Sequence, residues 1–76
     1  MGISVPREQV RERLLRAGFT FKRSADRVEI YRQKGTIRRV ALPRRDLIPE
    51  VSVRIILSQA GLSPADIDDF LKHAVK

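Results

Sequence analysis

"RVEIYRQKGTIRRVALPRR", Arg27 to Arg45, is the stretch on which the fold of this chain turns. Apolar residues alternate with arginine and lysine on both sides of Lys34-Gly35, the period of two that sends successive side chains to opposite faces of a strand. The spacing predicts two antiparallel strands joined by a tight turn at Lys34-Gly35. Pro43 ends the second strand because it has no amide hydrogen for the ladder. Val28 and Ile30 are expected on one face, with Glu29, Tyr31 and Gln33 on the other. Val40 and Leu42 are set against Ile37, Arg39 and Ala41. Just upstream, "FTFKR" has the same period, with Phe19 and Phe21 on one side, and reaches the hairpin through Ser24-Ala25-Asp26.

Outside this β region the period lengthens. In "VPREQVRERLLRAGF", Val10, Leu14 and Ala17 recur at i, i+4 and i+7, with Pro6 at the first helical position and Gly18 as the left-handed stop. After the loop "PRRDLIPEV", Ser52 is expected to cap a short helix, "VRIILSQA", that Gly61 ends. Ser63-Pro64-Ala65-Asp66 opens another helix, whose apolar stripe is Ile67, Phe70, Leu71 and Ala74. No internal repeat or linker stands out. The expectation is a single α+β domain over residues 1–76, ordered α-β-β-β-α-α, with a three-stranded antiparallel sheet and helices on one face. Leu14, Ile56, Phe70 and Leu71 are expected to share a core with Val28, Ile30, Val40 and Leu42.

At 76 residues, a domain buries only about 60% of the surface its unfolded chain exposes, which leaves little room for a deep active site. Cysteine is absent, excluding disulfides and thiolate metal sites. No apolar run approaches the ~20 residues of a membrane helix, so no membrane partner is expected, and a cytoplasmic protein is. The formal net charge is +7, and its placement is informative. Lys22, Arg23, Arg27, Arg32, Lys34, Arg38, Arg39, Arg44 and Arg45 face only Asp26 and Glu29 between positions 22 and 45, so this segment alone holds the whole excess. A basic surface gathered on one segment attracts phosphate backbones through counterion release, whereas scattered charge mainly keeps a protein soluble. These nine cations, with Tyr31 as a stacking platform for an unpaired base, form the expected RNA-binding set.

The order of elements, with "AGF" (Ala17–Phe19) ending the first helix, Tyr31 in the second strand, "LP" (Leu42-Pro43) ending the third and "VRIILSQAGLS" (Val53–Ser63) opening the final section, resembles the HicA family of small toxins. The resemblance covers nearly the whole chain. It implies a fold like that of double-stranded-RNA-binding domains, cleavage of messenger RNA as an mRNA interferase, and a HicB-like antitoxin as partner. Family members usually carry a glycine-serine-histidine or glycine-asparagine-histidine word at the start of the second strand. The matching positions here are Asp26, Arg27 and Val28, so the histidine is missing.

RNA cleavage of this type needs a base for the attacking hydroxyl and positive charge for the phosphate. Arginine supplies the second. For the first, His73 stands alone near the end of the last helix, where a histidine is favoured by the helix dipole. Asp26 and Glu29 lie among cations that make a carboxylate a poorer proton acceptor. Asp66, Asp68 and Asp69 are read as partners of a helix N-terminus in preference to a magnesium site. No catalytic residue, metal ligand or cofactor is therefore assigned, and an enzyme is less expected than a protein that holds RNA. The alternative is a non-enzymatic RNA-binding or protein-interaction module on the same fold.

Overall fold

The computed structural model describes residues 3–74. In chain order it contains β1 (Ser4–Pro6), α1 (Arg7–Arg16), β2 (Phe19–Ser24), β3 (Val28–Gln33), β4 (Arg39–Pro43), β5 (Leu47–Pro49), α2 (Glu50–Gln59) and α3 (Pro64–Ala74). The α+β class holds, and β2-β3-β4 form the antiparallel sheet. Two strands are added to the expected order. β1 and β5, each three residues ending in proline, pair antiparallel as a separate ribbon.

This ribbon joins two copies of one β-α unit. Val5-Pro6 and Ile48-Pro49 are followed at a constant offset by Val10 and Val53, Arg11 and Arg54, Leu14 and Leu57, Ala17 and Ala60, and Gly18 and Gly61. The geometry repeats as well. Pro6 and Pro49 precede their helices at φ −57° and −58°, and Gly18 and Gly61 stop them at φ 91° and 92°, a region that glycine enters without penalty. Val5 lies opposite Ile48. The Arg7 amide donates to Asp46 O at 2.9 Å, and the equivalent Glu50 amide donates to Ile3 O at 2.7 Å. The two units are thus related by a local twofold axis through the ribbon. The repeat escapes a reading by composition because the matched residues are few and the surface residues differ.

The twofold corrects two details of the helix starts. Pro6 ends β1 and precedes α1, and Ser52 lies inside α2 instead of capping it. In each unit the first helical amide donates to the residue just before the opposing strand, and neither helix start has a side-chain cap. At α3 the expected cap forms, with the Asp66 amide donating to Ser63 Oγ at 3.2 Å.

The core joins both units to one sheet face. Val5, Val10, Leu14, Ile48, Val53, Ile56, Leu57 and Leu71 pack with Phe19, Tyr31, Val40 and Leu42, and Phe70 is partly buried against them. Val28 and Ile30 do not join. Tyr31 pairs directly with Val40 and Glu29 with Leu42, and residues opposite each other in a ladder share a face. The face that receives Val40 and Leu42 therefore receives Tyr31 and Glu29, while Val28 and Ile30 fall on the other side, half-buried. The expected core membership of Val28 and Ile30 is corrected accordingly.

Comparing the two units also separates what the fold requires from what it does not. Ser4, Glu8 and Glu12 of the first correspond to Leu47, Val51 and Ile55 of the second, and these three apolar side chains are more than half exposed. Val51→Glu and Ile55→Glu are expected to change stability by no more than about 0.5 kcal/mol each, as for surface substitutions generally. Urea denaturation checks this, and a loss above ~1 kcal/mol would show that the second unit needs them.

Candidate nucleic-acid interface

Helices cover one face of β2-β3-β4 and leave the other open. Its rungs follow from the register. Thr20, Arg32 and Arg39 lie side by side across the three strands, then Arg23, Ile30 and Ala41, then Val28 and Pro43. Between Phe21 and Arg23 the register shifts, so Lys22 sits in a bulge, which bends the strand and unpairs one residue. The open face is an apolar strip of Val28, Ile30, Ala41 and Pro43 with arginines along it.

All nine cations of the segment are exposed. Among the described residues, none of them lies within 4.0 Å of a carboxylate; the ion pairs formed use Arg7, Arg11, Arg54 and His73. Arg54 shows the contrast. Its guanidinium donates to Asp68 at 2.9 Å and to Glu50 at 3.0 Å, and these hydrogen bonds, Asp68 first, raise its pKa above the ordinary arginine value. Charge that is already paired inside the protein has less to gain from a phosphate than the unpaired charge of the open face.

The nine separate into groups. Lys22, Arg32 and Lys34 border a depression at the Gly35 end of the hairpin, together with Thr20 and Ile37. Arg23 and Arg39 stand on the rungs of the sheet. Arg27, Arg44 and Arg45 surround a cleft at the opposite end, floored by Val28 and Pro43. Arg38 departs from the set. Its Nη1 donates to Gln59 O at 3.4 Å and its guanidinium lies over Gly61, where a cation at a helix C-terminus opposes the negative end of the dipole. Gln33 serves the other helix likewise, donating from Nε2 to Ala17 O at 2.9 Å.

Tyr31 is a correction. Expected as a stacking platform on the face away from Val28 and Ile30, it is 1% exposed and cannot stack on a base. Its ring meets Phe21 edge to face at 5.9 Å, and its hydroxyl donates to Glu29 Oε1 at 3.2 Å. The same carboxylate oxygen accepts from Arg7 Nη2, and Arg7 Nε donates to Pro43 O at 3.2 Å. A phenol can enter a core only with its hydroxyl satisfied. Glu29 meets that need, which turns the tyrosine side of β3 inward. No aromatic ring remains on the open rungs, and the apolar contact falls to Ile30 and Ala41, which the alternation alone does not mark.

The titratable groups weighed for catalysis do not converge. Glu29 lies on the covered side, held by Arg7 and Tyr31. His73 lines a groove between α1 and α3 with Glu12, Arg13 and Arg16, its Nδ1 2.9 Å from Asp69 O. Asp26 borders the arginine cleft, and Val28, which has no ionisable group, opens β3 on the cleft floor. Asp68 pairs with Arg54. Among the described residues, no three histidine or carboxylate groups come together as a metal site, and no helix is long and apolar enough to cross a membrane.

Fold and face together define a small α+β domain with an unpaired basic sheet surface. No family model matches the chain, and no curated protein or solved structure matches it.

Proposed function

We propose that this chain is a HicA-like protein that holds RNA in the cytoplasm through the open, basic face of its sheet and does not cleave it. The observation that carries the proposal is the set of cations between positions 22 and 45, all exposed and none paired with a carboxylate among the described residues. Arginine forks suit phosphate, and those without a carboxylate partner break no ion pair on binding it. With phosphate contacts and little reading of base edges, affinities of about 10⁻⁴ to 10⁻⁶ M are expected. Cleavage lacks a base. Val28 has no ionisable group, and an arginine does not deprotonate near neutrality. A HicB-like antitoxin belongs to the same proposal as its protein partner. The second reading, a protein-interaction module, is favoured by the exposed Leu47, Val51 and Ile55.

The test is fluorescence anisotropy with a hydroxyl-ended, single-stranded RNA of mixed sequence, alongside a cleavage assay with and without magnesium. Replacing Arg23, Arg32 and Arg39 together by glutamine is expected to weaken binding by at least about tenfold at moderate salt. Replacing Arg13 and Arg16, which line the groove between α1 and α3, is expected to weaken it by much less. Equal effects would mean that net charge, and not this face, attracts RNA. Reproducible cleavage that Asp26→Asn or His73→Ala abolishes would overturn the non-cleaving part and identify the base.

A further inference from the structure

The cleft at the far end of the sheet differs from the rungs that lead to it. There the turn before β3 meets the end of β4. The Arg44 amide donates to Arg27 O at 3.1 Å, and the Ala25 amide donates to Val28 O at 2.9 Å. These backbone bonds place the Arg27, Arg44 and Arg45 side chains around one opening, with Asp26 at its border and the half-buried Val28 and Pro43 as an apolar floor. Neither Asp26 nor any other described carboxylate lies within ion-pair distance of the three arginines. Three arginines and one aspartate leave a local charge of +2.

An internal phosphodiester carries one negative charge, so such a site is oversupplied for it. A phosphomonoester carries about −1.5 to −2 at neutral pH, with a second pKa near 6, and has three strong acceptor oxygens. That charge matches the cleft, and guanidinium forks can take those oxygens in pairs. The floor continues the apolar strip of Ile30 and Ala41, and the Val28-Pro43 rung lies four residues along β3 from the Arg32-Arg39 rung, roughly 13 Å away. A strand lying on the sheet face would reach the cleft.

We propose that the cleft of Arg27, Arg44 and Arg45 binds the phosphomonoester end of an RNA strand. For the strand, this rests on the RNA reading of the sheet face; for the phosphate, it does not.

The experiment compares three versions of one 12-nucleotide RNA, with a 5′-phosphate, a 3′-phosphate or hydroxyls at both ends, by fluorescence anisotropy at pH 7.5 and pH 5.5. One phosphorylated end is expected to bind about tenfold tighter than the hydroxyl-ended strand at pH 7.5, and which one gives the polarity of the strand. The preference should shrink at pH 5.5, where the second proton returns to the monoester. In the triple variant Arg27→Gln, Arg44→Gln, Arg45→Gln the phosphorylated and hydroxyl-ended strands should bind alike, each more weakly than to the parent, and a thermal melt checks that this variant folds. Competition by a nucleoside monophosphate and by inorganic phosphate distinguishes recognition of a nucleotide end from recognition of bare phosphate. Equal binding of all three strands overturns the proposal, as does a preference that survives in the triple variant. Weak binding of the hydroxyl-ended strand with the preference intact would sink the sheet-face reading alone. In the parent protein, hydroxyl-ended binding with no preference for either phosphorylated end would sink this one alone.

Discussion

Leu14→Ala and Leu57→Ala are each expected to destabilise the protein by about 2 to 5 kcal/mol, and by similar amounts. Both side chains are fully buried, and both occupy the same place in the two β-α units. Removing either leaves a void where α1 or α2 faces the core. In a domain with roughly 5 to 15 kcal/mol in hand, such a loss should lower the melting temperature by about 8 to 40 °C, at roughly 4 to 8 °C per kcal/mol for this size. Ile30→Ala serves as the control. Ile30 is half-buried on the open face, so its truncation should cost about 1 kcal/mol or less. Thermal and urea melts of the three variants decide the matter. If Leu57→Ala melts like the parent, the units are not equivalent, and if Ile30→Ala is the worst of the three, the faces of β3 have been assigned the wrong way round.

Ile30 and Tyr31 also show where the sequence stops being sufficient. Alternation places them on opposite faces but does not say which face is buried, because β3 carries apolar bodies on both. The decision comes from the pairing of Tyr31 with Val40 and from Arg7, 22 positions away from Glu29 in the chain. Neither is a local signal. The helix stops at Gly18 and Gly61 and the cap at Ser63 are local, and they were legible. β1 and β5 were not, because three residues ending in proline give no period to detect and gain their pairing only from each other. For the candidate interface, the concentration of charge could be read by counting along the chain. Its division could not: Arg38 is drawn to the end of α2 by a contact with Gln59, and Arg27 meets Arg44 and Arg45 only because β3 and β4 end side by side.

RNA affinity is expected to fall about 100-fold as salt rises from 50 to 200 mM. Each phosphate neutralised by a protein cation releases counterions, and for a single strand the slope of log affinity against log salt is about −0.7 per contact. If about five of the cations along the open face and its two ends meet phosphates, the slope is about −3.5, and a fourfold rise in salt then weakens binding by roughly two orders of magnitude. Removing Arg23, Arg32 and Arg39 should take about 2 from the slope, so that the same change in salt weakens the variant only about sevenfold. The comparison separates two kinds of loss that a single titration confuses. A variant that binds weakly because its sheet is disturbed loses affinity at every salt concentration and keeps the steep slope of whatever phosphate contacts remain. A variant that has lost phosphate contacts binds weakly and with a shallower slope. Ile30→Ala should behave in the opposite way, since it removes apolar contact from the middle rung and no charge. It should lower affinity with the slope unchanged. A slope near zero for the parent protein would remove phosphate contact from the account altogether and leave the unpaired arginines as solvated surface.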